Sequence, residues 1–262
     1  MSFMQKITKS IVAFLFGGVL VVNYLANALP INGRNTGEIS DAYQNLFAPA
    51  GVTFSIWGLI YLLLLGYTVY QFGFFYKDAF SRKAELIEKM NRYFIVNVIA
   101  NIAWVFAWHY DYILVSVLLM GVLLFTLIRI ADMHRVEKFS LWEKLFLQLP
   151  FSIYFGWITV ATIANITVFL VSIGWDGFGM TDTFWTIFIL LVGALIGVWR
   201  MTQDKNIVYI LVFIWAYVGI YIKHISEQGF DGQYPNIIMT VFLCLVLFVI
   251  FGVRLLISQK RQ

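Results

Sequence analysis

Amide and indole side chains recur at helical spacing in one largely apolar stretch of the chain. Asn97, Asn101, Trp104 and Trp108 stand at positions i, i+4, i+7 and i+11 of that stretch. At about 100° per residue they share a narrow face of a helix. Amide groups and indole N–H groups need hydrogen-bond partners when they are buried. The chemistry open to such side chains is non-covalent: they bond to a neighbouring helix, or they line a binding cavity.

A second stripe follows the same spacing further along the chain. Pro150, Tyr154, Trp157, Ala161 and Asn165 are each separated by three or four residues. The alanine is small enough to admit a neighbouring backbone or a ligand. Packing between helices accounts for such a stripe. A cavity with apolar walls and a few polar points, the common composition of a small-molecule site, accounts for it as well.

A third stripe lies in residues 48–65, which begin as a loop at a proline and continue as an apolar helix. Phe54, Trp57, Tyr61 and Leu65 occupy positions i, i+3, i+7 and i+11, on one helical face. A helix surrounded by lipid alone has no need of an aromatic face. With three stripes in one chain, a shared cavity stands as an alternative to simple helix packing.

Patterns typical of catalysis or metal binding are missing from the sequence. Nucleophile-elbow, Walker and Rossmann motifs do not occur, and no pair of acids falls within an apolar run. His109, His134 and His224 lack metal-ligand spacing, and we expect them to be interfacial or solvated. Cys244 stands alone. We therefore expect no catalytic residue, no metal site, no cofactor and no enzymatic activity.

The composition predicts a membrane protein. Hydrophobic residues make up 61% of the chain and charged residues 12%, about half the charged fraction of a soluble domain. The apolar runs are long enough to cross a bilayer as helices, since about 20 residues suffice. The expected fold is an all-α polytopic membrane protein with eight spans. The predicted spans are 11–29, 53–75, 93–110, 112–130, 145–172, 184–199, 207–222 and 236–257.

The basic residues orient these spans. Of the 18 Lys and Arg residues, all but Arg34 and Lys223 fall in alternate segments on one side. By the positive-inside rule both termini are cytoplasmic, and we expect a multi-pass protein of the cell membrane. The net charge of +4 then reflects topology, so the expected contact is the lipid bilayer and no nucleic-acid partner is expected.

The first span has some features of a cleavable signal. Lys6 and Lys9 precede it, and residues 26–28 resemble a signal-peptidase site. Asn23 and Asn27 lie one helical turn apart in the same run. Paired amides suit a retained helix that bonds to its neighbours, so we expect this span to be retained.

Three motifs, in order along the chain, resemble the tryptophan-rich sensory protein or translocator protein family, once called the peripheral benzodiazepine receptor. They are Pro49-x4-Phe54-x2-Trp57-x3-Tyr61, Asn101-x2-Trp104-x3-Trp108, and the stripe from Pro150 to Asn165. The resemblance covers roughly residues 11–172. The chain departs from the family in lacking its paired prolines and Trp before the second helix, and Phe151 follows Pro150 where the family has Tyr.

The resemblance implies a five-helix bundle around a pocket for hydrophobic ligands such as tetrapyrroles or sterols. Residues 1–175 would form this bundle and residues 176–262 three additional helices. Gly193 and Gly197 allow close packing of helices or of subunits, so a homodimer is one expectation. The implied function is that of a membrane receptor or carrier. The alternatives are a secondary transporter and a structural subunit of a membrane complex, although no ionisable residue stands at the middle of a predicted span.

The predicted ligand-binding residues come from the three stripes: Trp57, Tyr61, Asn97, Asn101, Trp104, Trp108, Tyr154, Trp157, Ala161 and Asn165. Trp104 and Trp157 are expected to form walls, and Asn101 and Asn165 to supply polar points. Residues 30–52, the longest loop on the side expected to be outside, are polar with interspersed aromatics. Such a segment suits a lid over the cavity, or a disordered connector.

Overall fold

The computed structural model describes residues 3–73 and 82–260, and these form helices without any strand. Eight helical stretches within them are long and apolar enough to cross a membrane. Both the all-α fold class and the eight spans are thereby confirmed. The helices are α1 (Phe3–Ala28), α2 (Thr36–Ala42), α3 (Ile56–Tyr70), α4 (Arg82–His109), α5 (Ile113–Arg135), α6 (Leu141–Glu143), α7 (Leu149–Ser172), α8 (Asp182–Asp204), α9 (Ile207–Ile225) and α10 (Pro235–Lys260).

Several helices extend beyond the apolar runs that predict them. Helix α1 begins eight residues before the predicted position 11, and α4 begins at residue 82 instead of 93. The added turns of α4 are charged, and Lys89 Nζ pairs with Glu85 Oε1 at 2.8 Å across one turn. Such pairs stabilise helix outside an apolar environment. The predicted end of the second span at 75 lies outside the described residues, as do Lys77 and Arg261 of the charge balance.

The fifth span is one continuous helical stretch from Leu141 to Ser172. It starts at a capping box, in which Ser140 N donates to Glu143 Oε2 at 2.7 Å and Glu143 N donates to Ser140 Oγ. A single π-helical turn joins α6 to α7. Pro150 lies two residues after this turn, and its missing N–H removes a hydrogen bond from the continuous helix at the point where the regular ladder is already interrupted.

Two contact-defined units make up the chain. The first contains the described residues of 1–36 and 57–155, and the second those of 37–56 and 156–262. In the first unit α4 packs against both α1 and α5. In the second unit α8, α9 and α10 pack against one another. The predicted module boundary at residue 175 rests on the family motifs and stays a prediction.

Within the second unit, the two glycines of α8 face aromatic rings of α9. An ideal Cβ on Gly193 would lie 2.7 Å from the Tyr217 hydroxyl, and one on Gly197 would lie 2.9 Å from the Phe213 ring. The Tyr217 hydroxyl donates to the Leu190 carbonyl at 2.7 Å. The small-residue spacing therefore serves packing inside one chain. A homodimer remains a prediction, and this motif does not support it.

Candidate functional site

Two aromatic pairs, each within one helix, form the basis of the site. On α3 the rings of Trp57 and Tyr61 stack with centroids 5.4 Å apart and planes 18° apart. On α4 the rings of Trp104 and Trp108 stack at 5.7 Å and 18°. Residues four positions apart lie one above the other on a helix, so the i, i+4 spacing itself produces each stack.

Trp57 connects the two pairs and a third helix. Its ring centroid lies 6.3 Å from that of Trp104 and 5.9 Å from that of Tyr154, the latter at 63°. These separations are typical of favourable aromatic contacts. The five side chains, here named the indole cluster, are Trp57, Tyr61, Trp104, Trp108 and Tyr154. All of them lie in the first unit.

A short chain of amide and hydroxyl groups runs beside these rings. Asn23 Nδ2 donates to Asn101 Oδ1 at 3.1 Å, and Asn101 Nδ2 donates to the Tyr154 hydroxyl at 3.1 Å. Asn101 thus joins α1 to α7 through α4. Of the paired amides expected to bond to neighbouring helices, Asn23 does so, whereas Asn27 Nδ2 donates to the Asn23 carbonyl of its own helix at 2.9 Å. Such bonds orient the polar groups as well as holding the helices together.

The hydroxyl of Tyr61 differs from its neighbours. It is enclosed beside Asn101 and Tyr154, yet it makes no hydrogen bond of ordinary length and angle with any described residue. A buried hydroxyl without a bond costs roughly 1–3 kcal/mol. The cluster therefore retains a polar point that an incoming group could satisfy.

The cluster residues on α4 and α7 are more deeply buried than those on α3. Trp104, Trp108, Asn101 and Tyr154 are each at most 6% exposed. Trp57 and Tyr61 are half-buried. The accessible part of the cluster therefore belongs to its two α3 residues.

Comparison with known families identifies the chain. A family model described as TSPO-like protein matches residues 9–254. The chain belongs to the TSPO-like protein family. No curated protein and no solved structure matches it. The family match runs into α10, so it includes the last three spans as well as the first five, among which the three sequence motifs lie.

Not every predicted site residue of this TSPO-like protein joins the indole cluster. Asn97 lies one turn before Asn101, but its Nδ2 donates to Thr126 Oγ1 at 2.8 Å and towards the Leu123 carbonyl at 3.3 Å. Its amide therefore connects α4 to α5. The two asparagines lie on the predicted face of α4, but that face contacts more than one helix, so Asn97 bonds to α5 and Asn101 to α1 and α7.

Three further predicted residues belong to the second unit. The Trp157 ring meets Phe54 edge-on, with centroids 6.0 Å apart and planes 86° apart. Asn165 is buried and Ala161 is half-buried. Their convergence with the indole cluster on a single cavity stays a prediction.

The start of the predicted lid is held by side chains at the α4–α5 turn. Trp108 Nε1 donates to the Thr36 carbonyl at 3.2 Å, and Asn32 Nδ2 donates to the His109 carbonyl at 2.9 Å. Arg34 forms an ion pair with Asp111. In the sequence, Arg34 is the only basic residue of its loop and Asp111 the only charged residue of its turn, and this complementarity could have indicated the contact. The segment is ordered here, and its action as a lid stays a prediction.

The end of the same loop docks on α9 within the second unit. Ala50 N donates to the Gly219 carbonyl at 3.0 Å, and Trp215 Nε1 donates to the Thr53 carbonyl at 2.9 Å. Residues Gly51–Ser55 form a 3₁₀ helix, and backbone groups at a span end are stable when protein groups satisfy them. Neither α9 partner is predictable from the sequence, because no local pattern links residues more than 160 positions apart.

The histidines are not solvated, and their position at the membrane interface stays a prediction. His109 and His224 are fully buried and His134 is 6% exposed. His109 Nδ1 lies 2.7 Å from the Val105 carbonyl, and His224 Nε2 lies 2.9 Å from the Leu46 carbonyl. These backbone carbonyls replace water at the helix ends. Within the described residues no three His, Cys, Asp or Glu side chains are placed to hold a metal ion.

Proposed function

We propose that this TSPO-like protein is a membrane receptor or carrier that binds a hydrophobic small molecule of the tetrapyrrole or sterol class at the indole cluster. The observation that carries the proposal is the enclosed Tyr61 hydroxyl, which lacks an ordinary hydrogen bond while lying among aromatic rings. Binding sites for small molecules combine apolar walls with a few convergent polar groups. Tyr61 and Asn101 supply such groups here.

The geometry favours a flat, largely apolar ligand. A ligand approaching along α3 meets the half-buried ring of Trp57 first. Trp57 also contacts Tyr61, Trp104 and Tyr154, so a shift of this one ring would open a surface bounded by aromatic faces. A carbonyl, hydroxyl or ring nitrogen on the ligand would satisfy the Tyr61 hydroxyl.

Substitution of Tyr61 by Phe separates binding from packing. If the hydroxyl serves the ligand, Tyr61→Phe weakens binding by about threefold to tenfold, the value of one hydrogen bond of ~1 kcal/mol. Stability is unchanged or raised, since the variant removes a buried hydroxyl without a bond. Titration of purified protein with protoporphyrin IX and with cholesterol, followed by tryptophan fluorescence with inner-filter correction, measures the first effect. Thermal unfolding measures the second.

Tyr110→Phe is the matched control, because that ring is 51% exposed in the α4–α5 turn. It is expected to change neither binding nor stability. Failure of the unsubstituted protein to bind either ligand would overturn the proposal. Unchanged affinity together with a loss of stability in Tyr61→Phe would assign the cluster to packing alone.

The same preparation distinguishes the other functions that the sequence leaves open. A carrier moves bound ligand across proteoliposomes, whereas a receptor binds without net transfer. A structural subunit would co-purify with another protein at fixed stoichiometry and would not bind the ligand.

Orientation and location form part of the proposal. We place both termini in the cytoplasm and the protein in the cell membrane. The support is the alternation of basic segments between the eight helices.

A further inference from the structure

The second unit contains a cavity of 90 Å³ that shares no residue with the indole cluster. Its wall comes from residues 44–47, the last turns of α7, the α7–α8 connection and the first two turns of α8. The volume is several times the space that a single water needs. It is far below the ~300–1,000 Å³ of sites for drug-sized molecules. A tetrapyrrole or sterol is too large for it, so the cavity suits a compact group.

Two indole rings border this cavity. The Trp175 and Trp185 centroids lie 5.0 Å apart with planes tilted by 56°. Trp185 Nε1 donates to the Gly177 carbonyl at 2.8 Å, which fixes the ring and satisfies its polar edge. A Cβ on Gly177 would lie 3.1 Å from that nitrogen, and the residue has a φ of +65°, so glycine permits the close fit. Each indole face carries partial negative charge.

The one charged side chain among the described residues that line the cavity is a carboxylate. Asp182, in the first turn of α8, is exposed on the cavity wall. Asp176 lies in the same connection, where its Oδ1 accepts a hydrogen bond from Phe178 N. Among the described residues that line the cavity, none is Lys, Arg or His. Lys223, a cation of the same unit, is paired with Asp41 at 3.1 Å.

We propose that this cavity binds a small alkylammonium group. A cation is attracted to indole faces, and a quaternary ammonium is weakly hydrated and matches an aromatic-walled space. The Asp182 carboxylate adds charge attraction at the rim. The group can come from the choline-type headgroup of a lipid or from a free solute, since both present the same chemistry.

Saturation-transfer NMR on the methyl signal of tetramethylammonium tests the assignment. The full-length protein is held in maltoside micelles free of choline. Titration with tetramethylammonium gives the dissociation constant of this ion. We expect saturable binding that weakens about threefold to fivefold in Asp182→Asn, as for a partly exposed charge pair, and at least about tenfold in Trp185→Leu. Trp175→Leu provides a second aromatic variant if Trp185→Leu does not fold.

Asp231→Asn is the matched control. Asp231 is exposed, lies in the same unit and does not border the cavity, and Asn tolerates its φ of +46°. It should leave the affinity unchanged. Equal effects of Asp182→Asn and Asp231→Asn, or no saturable binding in the unsubstituted protein, would overturn the proposal.

A neutral isostere tests the charge. Choline should bind, whereas 3,3-dimethylbutan-1-ol, of the same shape without charge, should bind at least about tenfold more weakly. Equal affinities would show an apolar cavity and refute the cation site.

Mixed micelles distinguish the two sources. Phosphatidylcholine added to the micelles should compete with tetramethylammonium if the lipid headgroup occupies the cavity, whereas diacylglycerol should not. If tetramethylammonium binds equally well in micelles with phosphatidylcholine and in micelles with diacylglycerol, the natural ligand of the site is a free solute. Either result supports the alkylammonium site, and the absence of binding in both mixtures refutes it. The test is independent of the proposed tetrapyrrole or sterol site, because the two share no residue.

Discussion

Gly219 of α9 lies directly against Thr53 of the 3₁₀ turn that leads into α3. An ideal Cβ on Gly219 would be 2.9 Å from Thr53 Cβ, closer than real Cβ atoms approach. The loop cannot move aside without loss, since Ala50 N donates to the Gly219 carbonyl and Trp215 Nε1 to the Thr53 carbonyl. A glycine thus makes possible the docking of a 3₁₀-helical turn on a membrane helix.

We therefore expect Gly219→Ala to lower the free energy of unfolding by about 1–3 kcal/mol, the typical cost of overpacking. Thermal unfolding in detergent measures the change. Gly121→Ala on α5 is the control, because a Cβ there meets nothing within 4 Å and alanine favours helix. If Gly219→Ala melts at the same temperature as the unsubstituted protein, the docking contact is refuted.

Trp57→Ala should weaken ligand binding by about 1–3 kcal/mol, roughly tenfold or more, if Trp57 is the central anchor of the indole cluster. Trp199→Ala is the control, because it also removes one tryptophan from the fluorescence signal. Trp199 lies on α8 and is 58% exposed. The control variant should leave the affinity unchanged. Losses of similar size in the two variants would contradict the site, and fluorescence titration provides the measurement.

A buried polar network in the first unit should be sensitive to its central amide. The Tyr67 hydroxyl donates to Asn91 Oδ1 at 2.6 Å, and Asn91 Nδ2 donates to Gln71 Oε1 at 2.8 Å, with all three residues buried. Asn91→Leu removes both bonds, and we expect destabilisation of about 1–3 kcal/mol. Exposed Tyr24→Phe serves as the control for thermal unfolding. A fully stable Asn91→Leu protein would show that the network contributes little.

The indole N–H of Trp108 should hold the start of the predicted lid. Trp108→Phe deletes its hydrogen bond to the Thr36 carbonyl, worth about 0.5–1.5 kcal/mol. Amide exchange in residues 31–36 is then expected to rise several-fold. Trp142 is 60% exposed, and Trp142→Phe should leave the amide exchange of residues 31–36 unchanged. If amide exchange in residues 31–36 is unchanged in both variants, Trp108 does not anchor this segment.

Reporter fusions test the orientation of the helices. A reporter inserted after residue 175 should read as external and one at the C-terminus as cytoplasmic, because the basic segments alternate between the two sides. The opposite pattern would invert the topology.

The sequence alone determines the membrane class, the eight spans and the aromatic stripes. These properties depend on local composition and on the helical period, which is also why Trp57 with Tyr61 and Trp104 with Trp108 form stacked pairs. The motifs indicate the family as well, and the match over residues 9–254 confirms it.

Only the tertiary structure decides which side chains meet across helices. Asn97 and Asn101 look equivalent in the sequence, yet one bonds to α5 and the other to α1 and α7. His224 looks exposed at a span end, yet it is buried against the Leu46 carbonyl. The helical period assigns a residue to a face of its own helix. The neighbour of that face is set by packing between segments far apart in the chain, so local pattern carries no information about it.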